Sequence, residues 1–494
     1  MHMQSELTTR PFPPADRLRV ILCVVMVLFS VAVAVVTREL LLSEPDIWWH
    51  IKTGEWIWQQ GRFPTTDPFS YTFAGQPWIA KEWLSQVLYA AAYAIGGWNA
   101  LFLLATLAIS LAVGLLYWDV SAAIKPSLAA SVVLVCFLLT SSAFTIRPHL
   151  LTLPLLIVWT QELFKSSLNR RAPNYLLLLV IMVWANLHAA FTMGFVIAFF
   201  AFLDFLENDR LANKGELIKW LVFLVLCPAV TLVHPYGYQA MMMTLLVFRS
   251  TEGSIPVIEW QPFNAQQDFI YTAVLLGLMF ATITSGFKLG MARSLLIVLF
   301  TYLFLKHMRY GFFLFPVITL VVAPAVAKQF PKLSTEHWRT QPLDPLEQRA
   351  SNLFAPLAIG LAGLTVALVG LQSSLLRTAP PEQVAATAAI NFAKSNGISI
   401  SGNVFNSYNL GGPLIFNDIQ TFIDGRTDQL FINGFQKPLA TEPRNTETLS
   451  KLIEKYDLSW SILPPDDPFL PLLDSQPNWK RVYADKSAVI HQRQ

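Results

Sequence analysis

Glu44, Asp46, His50, Asp67 and Glu82 crowd into one polar stretch, SEPDIWWHIKTGEWIWQQGRFPTTDPFSYTFAGQPWIAKEWL, between long apolar runs. Carboxylates and imidazoles are the groups that take and give protons near neutral pH. Indoles from Trp48, Trp49, Trp56, Trp58, Trp78 and Trp83 stand among them. Such a set at a membrane face suits chemistry on something that lives in the membrane. No HExxH, Walker A, GxSxG or CxxC motif is present, so the chemistries those motifs carry lack their signatures.

The elements that must position these groups are membrane helices. The chain is 54% hydrophobic and 14% charged over 494 residues, against roughly a quarter charged in soluble domains. Apolar runs long enough to cross a bilayer are expected near 20–38, 98–118, 127–145, 149–165, 174–190, 191–207, 217–234, 268–286, 291–306, 309–327 and 353–372. The fold class is therefore a polytopic α-helical membrane protein of about eleven spans. The runs are continuous rather than alternating, which excludes a β-barrel. Residues 82–97 are apolar but short, with Glu82 at one end and Gly96–Gly97 at the other, and either span or lie at the interface.

Loop charge favours the interface. With the N-terminus inside, Lys165, Arg170, Arg171, Arg210, Lys214, Lys219, Lys288, Arg293, Lys328, Lys332, Arg339 and Arg349 join Arg10, Arg17 and Arg19 on the cytoplasmic side. The reading is then a cytoplasmic N-terminus (1–19), a transmembrane domain (20–372) with a first outer loop at 40–97, and an outward α/β domain (380–494). That last domain should hold helices near 381–394 and 446–456 and strands near 401–405, 420–424 and 459–463. Cys23, Cys136 and Cys227 all lie in apolar runs and imply neither disulfide nor metal. A net charge of +3 gives no reason to invoke nucleic acid.

This topology gathers the first-loop residues with Arg147, His149, Asn186, His188, His234, Tyr236, Glu259, Trp260, His307 and Arg309 on the outer side. Each has a bland alternative. The indoles could be an interfacial belt. Asp46 could cap a helix at 47–60. Asp67 precedes Pro68, a turn signature. Glu82 could complement a helix dipole, and Arg147 and Arg309 could snorkel to headgroups rather than grip phosphate. Asp46 is the catalytic candidate. His50, Asp67, Glu82, Arg147, His149, His188, His234, Arg309 and Trp49 are the substrate-binding candidates. The later segments NSYNLGGP and DGRTD, with Asp424, Arg426 and Asp428, are either tight turns or a close approach to a ligand.

A polar first outer loop with an acid just beyond span one resembles the GT-C superfamily of membrane glycosyltransferases. Its layout is similar to that of protein O-mannosyltransferases, aminoarabinose transferases and oligosaccharyltransferase catalytic subunits. The runs DIWWHIKTGEWIWQQGRFPTTDPFSYT, WIAKEWL, WANLHAAFTMGF and NSYNLGGPLIF…TFIDGRTD resemble bacterial GT-C-like proteins. The resemblance implies an inverting glycosyltransferase in a bacterial inner membrane, with a polyprenyl-phosphate sugar donor and a lipid, glycan or protein acceptor. Asp46 occupies the place of the family's first-loop acid. The second outer loop reads SSAFTIRPHLL, without the further acid often found there, so a divalent metal is an option rather than an expectation. Two other readings stand beside it: a non-catalytic scaffold that binds a lipid-linked glycan, and a secondary transporter, for which no repeat is visible.

Overall fold

The computed structural model describes residues 14–209, 211–250, 262–342, 378–426, 429–430 and 444–494, with scattered positions between 345 and 365. The expected span at 353–372, and Arg10, Arg210, Glu259, Trp260 and Asp428, lie outside what is described in full. The helices used below are α1 (Pro14–Val36), α2 (Asp46–Gln60), α3 (Trp83–Ala123), α4 (Pro126–Thr140), α5 (Pro148–Leu168), α6 (Leu178–Leu187), α7 (Phe191–Asp209), α8 (Lys214–Thr231), α9 (Tyr238–Ser250), α10 (Phe269–Ser285), α11 (Met291–Lys306) and α12 (Gly311–Gln329). Among the described residues, five segments are long and apolar enough to cross a membrane: Asp16–Val36, Trp83–Ala123, Pro126–Ala143, Phe191–Asp209 and Met308–Gln329.

Most expected spans coincide with a helix. The 174–190 run is shorter as a helix, Leu178–Leu187, behind a 3-10 turn Tyr175–Leu177. Helix α9 was not anticipated. The break foreseen at Gly96–Gly97 is present as a kink inside α3, where Gly97 takes φ 58 and ψ −143, a conformation open to glycine but strained for other residues.

The chain forms two compact units, one built from 1–36, 109–143 and 262–376, the other from 37–108, 144–261 and 377–494. In the first unit, α1 packs along the second half of α3. Arg19 donates to Ser121 Oγ (2.9 Å) and lies 4.0 Å over the Trp118 ring, while Ser30 and Ser110 bond at 3.0 Å. Arg293 on α11 reaches the Val321 carbonyl of α12 at 3.1 Å.

In the second unit α5 to α8 form a helical bundle, with Trp159 donating to the Gly194 carbonyl (2.9 Å) and stacking on Phe223. The C-terminal segment adds helix α13 (Thr387–Ser395), strand β1 (Asn403–Asn406), α14 (Gly411–Phe416), α15 (Thr446–Tyr456), β2 (Leu458–Leu463), α16 (Leu470–Asp474), β3 (Trp479–Ala484) and β4 (Val489–Arg493). The strands run in the order β1-β2-β4-β3, with β1 parallel to β2 and the other pairs antiparallel. Val404, Trp460, Ile462 and Ile490 face a core closed by α13, while Phe405, Leu463 and Val489 face a second core shared with the first outer loop.

The strand expected at 420–424 is not part of this sheet. Its backbone pairs instead with the first outer loop, Thr421 N–H to the Phe69 carbonyl (3.2 Å) and Tyr71 N–H to the Thr421 carbonyl (3.3 Å). Strands β3 and β4 were not anticipated, because the alternation of Lys480 and Arg481 with apolar residues is weak.

A buried ionic clamp joins these two parts of the second unit. Arg426 pairs with Asp67 of the first loop through Nη1 and with Asp424 through Nη2 (2.7 Å) and Nε (2.8 Å). All three side chains are fully buried. Asp67 also accepts from the Phe69 N–H (2.9 Å), the Ser70 N–H (3.2 Å) and the Ser70 hydroxyl, and the guanidinium lies 5.2 and 5.0 Å from the Phe69 and Trp78 rings. Removing one member of a buried charge group strands the others and costs about 3–5 kcal/mol. Arg426→Met is therefore expected to lower the melting temperature of the detergent-solubilised chain sharply, and an unchanged melting curve would show that the clamp does not hold the unit together.

Candidate active site

Asp46 begins α2, with nine residues, among them the short helix Arg38–Leu41, between it and the end of α1. The residue before it, Pro45, makes no side-chain cap bond, so the helix opens on Asp46 itself rather than after it. A carboxylate in a first turn is favoured by the helix dipole. Its Oδ1 accepts from the indole N–H of Trp49, one turn on, at 3.0 Å. Its Oδ2 lies 3.0 Å from Nη2 of Arg147, and the same nitrogen donates to Glu44 Oε1 at 2.7 Å. Arg147 precedes α5 in an extended conformation and is brought alongside by the Ile146 N–H bond to the Leu41 carbonyl (2.9 Å). Asp46, Glu44 and Arg147 keep 13%, 8% and 18% of their side-chain exposure, so the group is sheltered but reachable.

The C-terminal segment packs directly on this carboxylate. A methyl group on Gly425 would overlap Asp46 Oδ1 and stand 2.8 Å from Trp49 Nε1. A methyl group on Gly412 would stand 2.2 Å from the Pro45 carbonyl oxygen and 3.4 Å from the Trp48 Cβ. The glycines of GGP and DGR are thus required by close approach to the first loop. Glu44 had not been assigned a site role, and the signal for it was its two-residue spacing from Asp46. The contact of Gly425 with Asp46 had no signal in the sequence.

A second cluster lies beside the first. His50 is buried with its ring against Trp49, centroids 3.7 Å apart. Its Nδ1 meets Gln86 Nε2 at 3.3 Å, and its Nε2 is 4.0 Å from Glu82 Oε2. His188 presents Nε2 to Glu82 Oε1 at 3.4 Å, while its Nδ1 accepts from the Ala190 N–H at 3.2 Å. The His149 ring lies 5.9 Å from that of His188. Burial, with the charges of Arg147 and Lys81 nearby, holds the His50 pKa well below its ordinary value, so the ring is neutral at pH 7.

Other sequence candidates find structural partners. His234 faces the Lys81 carbonyl with Nε2 (3.1 Å) and accepts from the Tyr236 N–H with Nδ1 (3.2 Å), and Tyr236 in turn bonds the Pro64 carbonyl (2.8 Å) and the Ala80 N–H (3.1 Å). These bonds fasten the first loop to the turn after α8. Asp67, expected to bind substrate, is instead enclosed in the Arg426 clamp with no side-chain exposure. Arg147, expected to grip phosphate, already spends Nη2 on two carboxylates, whose combined charge exceeds its own. Arg309 stands in the 3-10 turn Met308–Tyr310 of the other unit.

No family model and no curated protein sequence matches the chain. Solved structures do match. The oligosaccharyltransferase of Archaeoglobus fulgidus in its apo form is 12% identical at a TM-score of 0.51, covering 89% of this chain and 69% of that one. The same protein tethered to an acceptor peptide containing the NVT sequon is 14% identical at 0.52, covering 89% and 68%. ArnT from Cupriavidus metallidurans bound to undecaprenyl phosphate is 13% identical at 0.49, covering 94% and 97%. At such identities the likeness reaches the fold, and the chain is a polytopic helical membrane protein with a GT-C-like fold and a small C-terminal sheet.

The neutral imidazoles have a consequence for stability. Burial lowers the pKa of His50, His234 and His491 from 6.5. Below pH 6.5 the unfolded chain takes up protons that the folded chain refuses, so stability is complete above that pH and declines as the pH falls. The melting temperature should drop between pH 7 and 5, and His50→Gln should flatten the slope. A melting temperature that rises on acidification would contradict the assignment.

Proposed function

We propose that this chain is a glycosyltransferase that moves a sugar from a polyprenyl-phosphate-linked donor to an acceptor hydroxyl or amide at the outer face of the membrane. In this reading the N-terminus and the basic loops face the cytoplasm of a bacterial cell, and the second unit's polar clusters face outward. The observation that carries it is the Asp46 carboxylate, oriented by Trp49 and Arg147 and still reachable, directly after the first apolar helix. The oligosaccharyltransferase fold supports it from a separate direction.

The chemistry follows from the geometry. Trp49 and Arg147 each approach one Asp46 oxygen, and a carboxylate oxygen can accept more than one hydrogen bond. An acceptor proton moves to that carboxylate as the acceptor atom attacks the anomeric carbon. The bond from that carbon to the phosphate oxygen breaks, its electron pair leaves with the phosphate, and the configuration inverts. Trp49 and Arg147 fix the direction of the base. Glu44 holds Arg147 in place, and the excess negative charge of the trio favours drawing a proton toward it. Gly425 closes the site from the C-terminal side, which makes that segment a wall of the site.

Asp46→Asn keeps the shape and removes the base. Mass spectrometry of glycolipids and glycoproteins from cells with and without this chain should reveal a product that depends on it. Asp46→Asn, at wild-type abundance, should lose that product by at least about a hundredfold, as general-base removal does. A mutant that makes the product at the wild-type level removes Asp46 from the role, and identical glycoconjugates with and without the chain remove the transferase reading.

A further inference from the structure

Glu82, Gln86 and Tyr89 are spaced four and three residues apart, and the Gln86 N–H bonds the Glu82 carbonyl at 3.1 Å, so the three share one helical face. That face meets His50 and His188. The amide of Gln86 and the backbone N–H of Ala190 occupy the Nδ1 atoms of the two imidazoles. With Nδ1 of His188 accepting from a backbone N–H, the hydrogen of that ring sits on Nε2, and the Nε2 atoms of both rings point at Glu82. A ring in this tautomer offers an N–H donor rather than a lone pair to a metal.

The Glu82 oxygens stand 3.4 Å from Nε2 of His188 and 4.0 Å from Nε2 of His50, longer than an ordinary hydrogen bond. Two more polar atoms on the same face, Gln86 Oε1 and the Tyr89 hydroxyl, are buried and have no hydrogen-bond partner among the described residues. Buried polar groups ordinarily have one. Glu82 and His188 keep 11% and 12% of their side-chain exposure, so the cluster is reachable at that edge. Trp49 connects it to the base, since its ring lies against His50 and its N–H bonds Asp46.

An acceptor carboxylate beside imidazole N–H donors suits a group that both gives and takes a hydrogen bond. A hydroxyl does this, and neighbouring hydroxyls on a ring could engage several of these atoms at once. We propose that Glu82, His50, His188, Gln86 and Tyr89 form a hydroxyl-reading subsite for the sugar ring of the substrate, one indole away from Asp46. Here Glu82 accepts from sugar hydroxyls, the imidazoles donate to them, and Gln86 and Tyr89 supply the remaining partners. This inference rests on the transferase reading above and specifies which residues distinguish a glycosylated lipid from a bare one.

The test is native mass spectrometry of the full chain in detergent. The probes are undecaprenyl phosphate and the undecaprenyl-phosphate hexoses and pentoses extracted from bacterial membranes. The wild type should retain at least one glycosylated probe about tenfold more tightly than the bare phosphate, the effect of one or two hydrogen bonds to a charged group. Glu82→Gln and Tyr89→Phe should bind bare and glycosylated probes alike. Tyr89→Phe removes only a hydroxyl with no hydrogen-bond partner among the described residues, so its melting temperature should stay at the wild-type value, which separates lost recognition from lost folding. A preference that survives in Tyr89→Phe and Glu82→Gln overturns the subsite. So does a wild type that binds the bare lipid as tightly as every glycosylated one, although the lipid-linked donor then stands. Failure of the wild type to retain any of these lipids overturns the transferase reading itself.

Discussion

The Asp67–Arg426–Asp424 clamp is the constraint on which the second unit turns. Three ionised side chains sit without solvent, which is tolerable only because each charge is met by an opposite charge and further hydrogen bonds. The clamp fixes the first outer loop to the segment that carries Gly425. Because Gly425 stands against Asp46 and Trp49, the clamp also determines where the candidate base lies. Ion pairs of this kind are weak sources of net stability but unforgiving of a wrong register, since a shifted loop would strand a charge in an apolar core.

A gradient of accessibility follows from the same packing. Asp67 is sealed, His50 is nearly so, and Asp46, Glu82, His188 and Arg147 keep small exposed edges. Sealed Asp67 holds the loop through its pairing with Arg426. The division also separates the histidines: His234 is consumed by backbone bonds to Lys81 and Tyr236, whereas His188 still presents Nε2 to a carboxylate.

The membrane character, most helices and the C-terminal α/β pattern were legible in the sequence because hydropathy and periodicity are local. Helix α15 matches its expected bounds of 446–456, where Asn445 caps a strongly amphipathic run. The break at Gly96–Gly97 was legible because two adjacent glycines interrupt an otherwise continuous apolar helix. The pairing of 420–424 was not, since its hydrogen-bond partners lie some 350 positions away in the first loop. The chemical types of the site residues were readable, but their partners were not. Asp67 and Arg147 both looked like ligands. Asp67 is an anchor instead, and Arg147 also meets Glu44 and Asp46, because the carboxylate or guanidinium each meets comes from a distant segment.

That difference bears on how a phosphate leaving group would be handled. Glu44 and Asp46 share Nη2 of Arg147, so two carboxylates compete with any phosphate for that nitrogen. In the proposed reaction, proton transfer from an acceptor to Asp46 would leave one carboxylate opposite the guanidinium. The trio's repulsion of an anion would therefore be greatest before transfer and least as the phosphate departs. With Asp46 as the proposed base, an arginine braced by two acids would thus couple the proton to the charge of the leaving group, which an isolated arginine could not do.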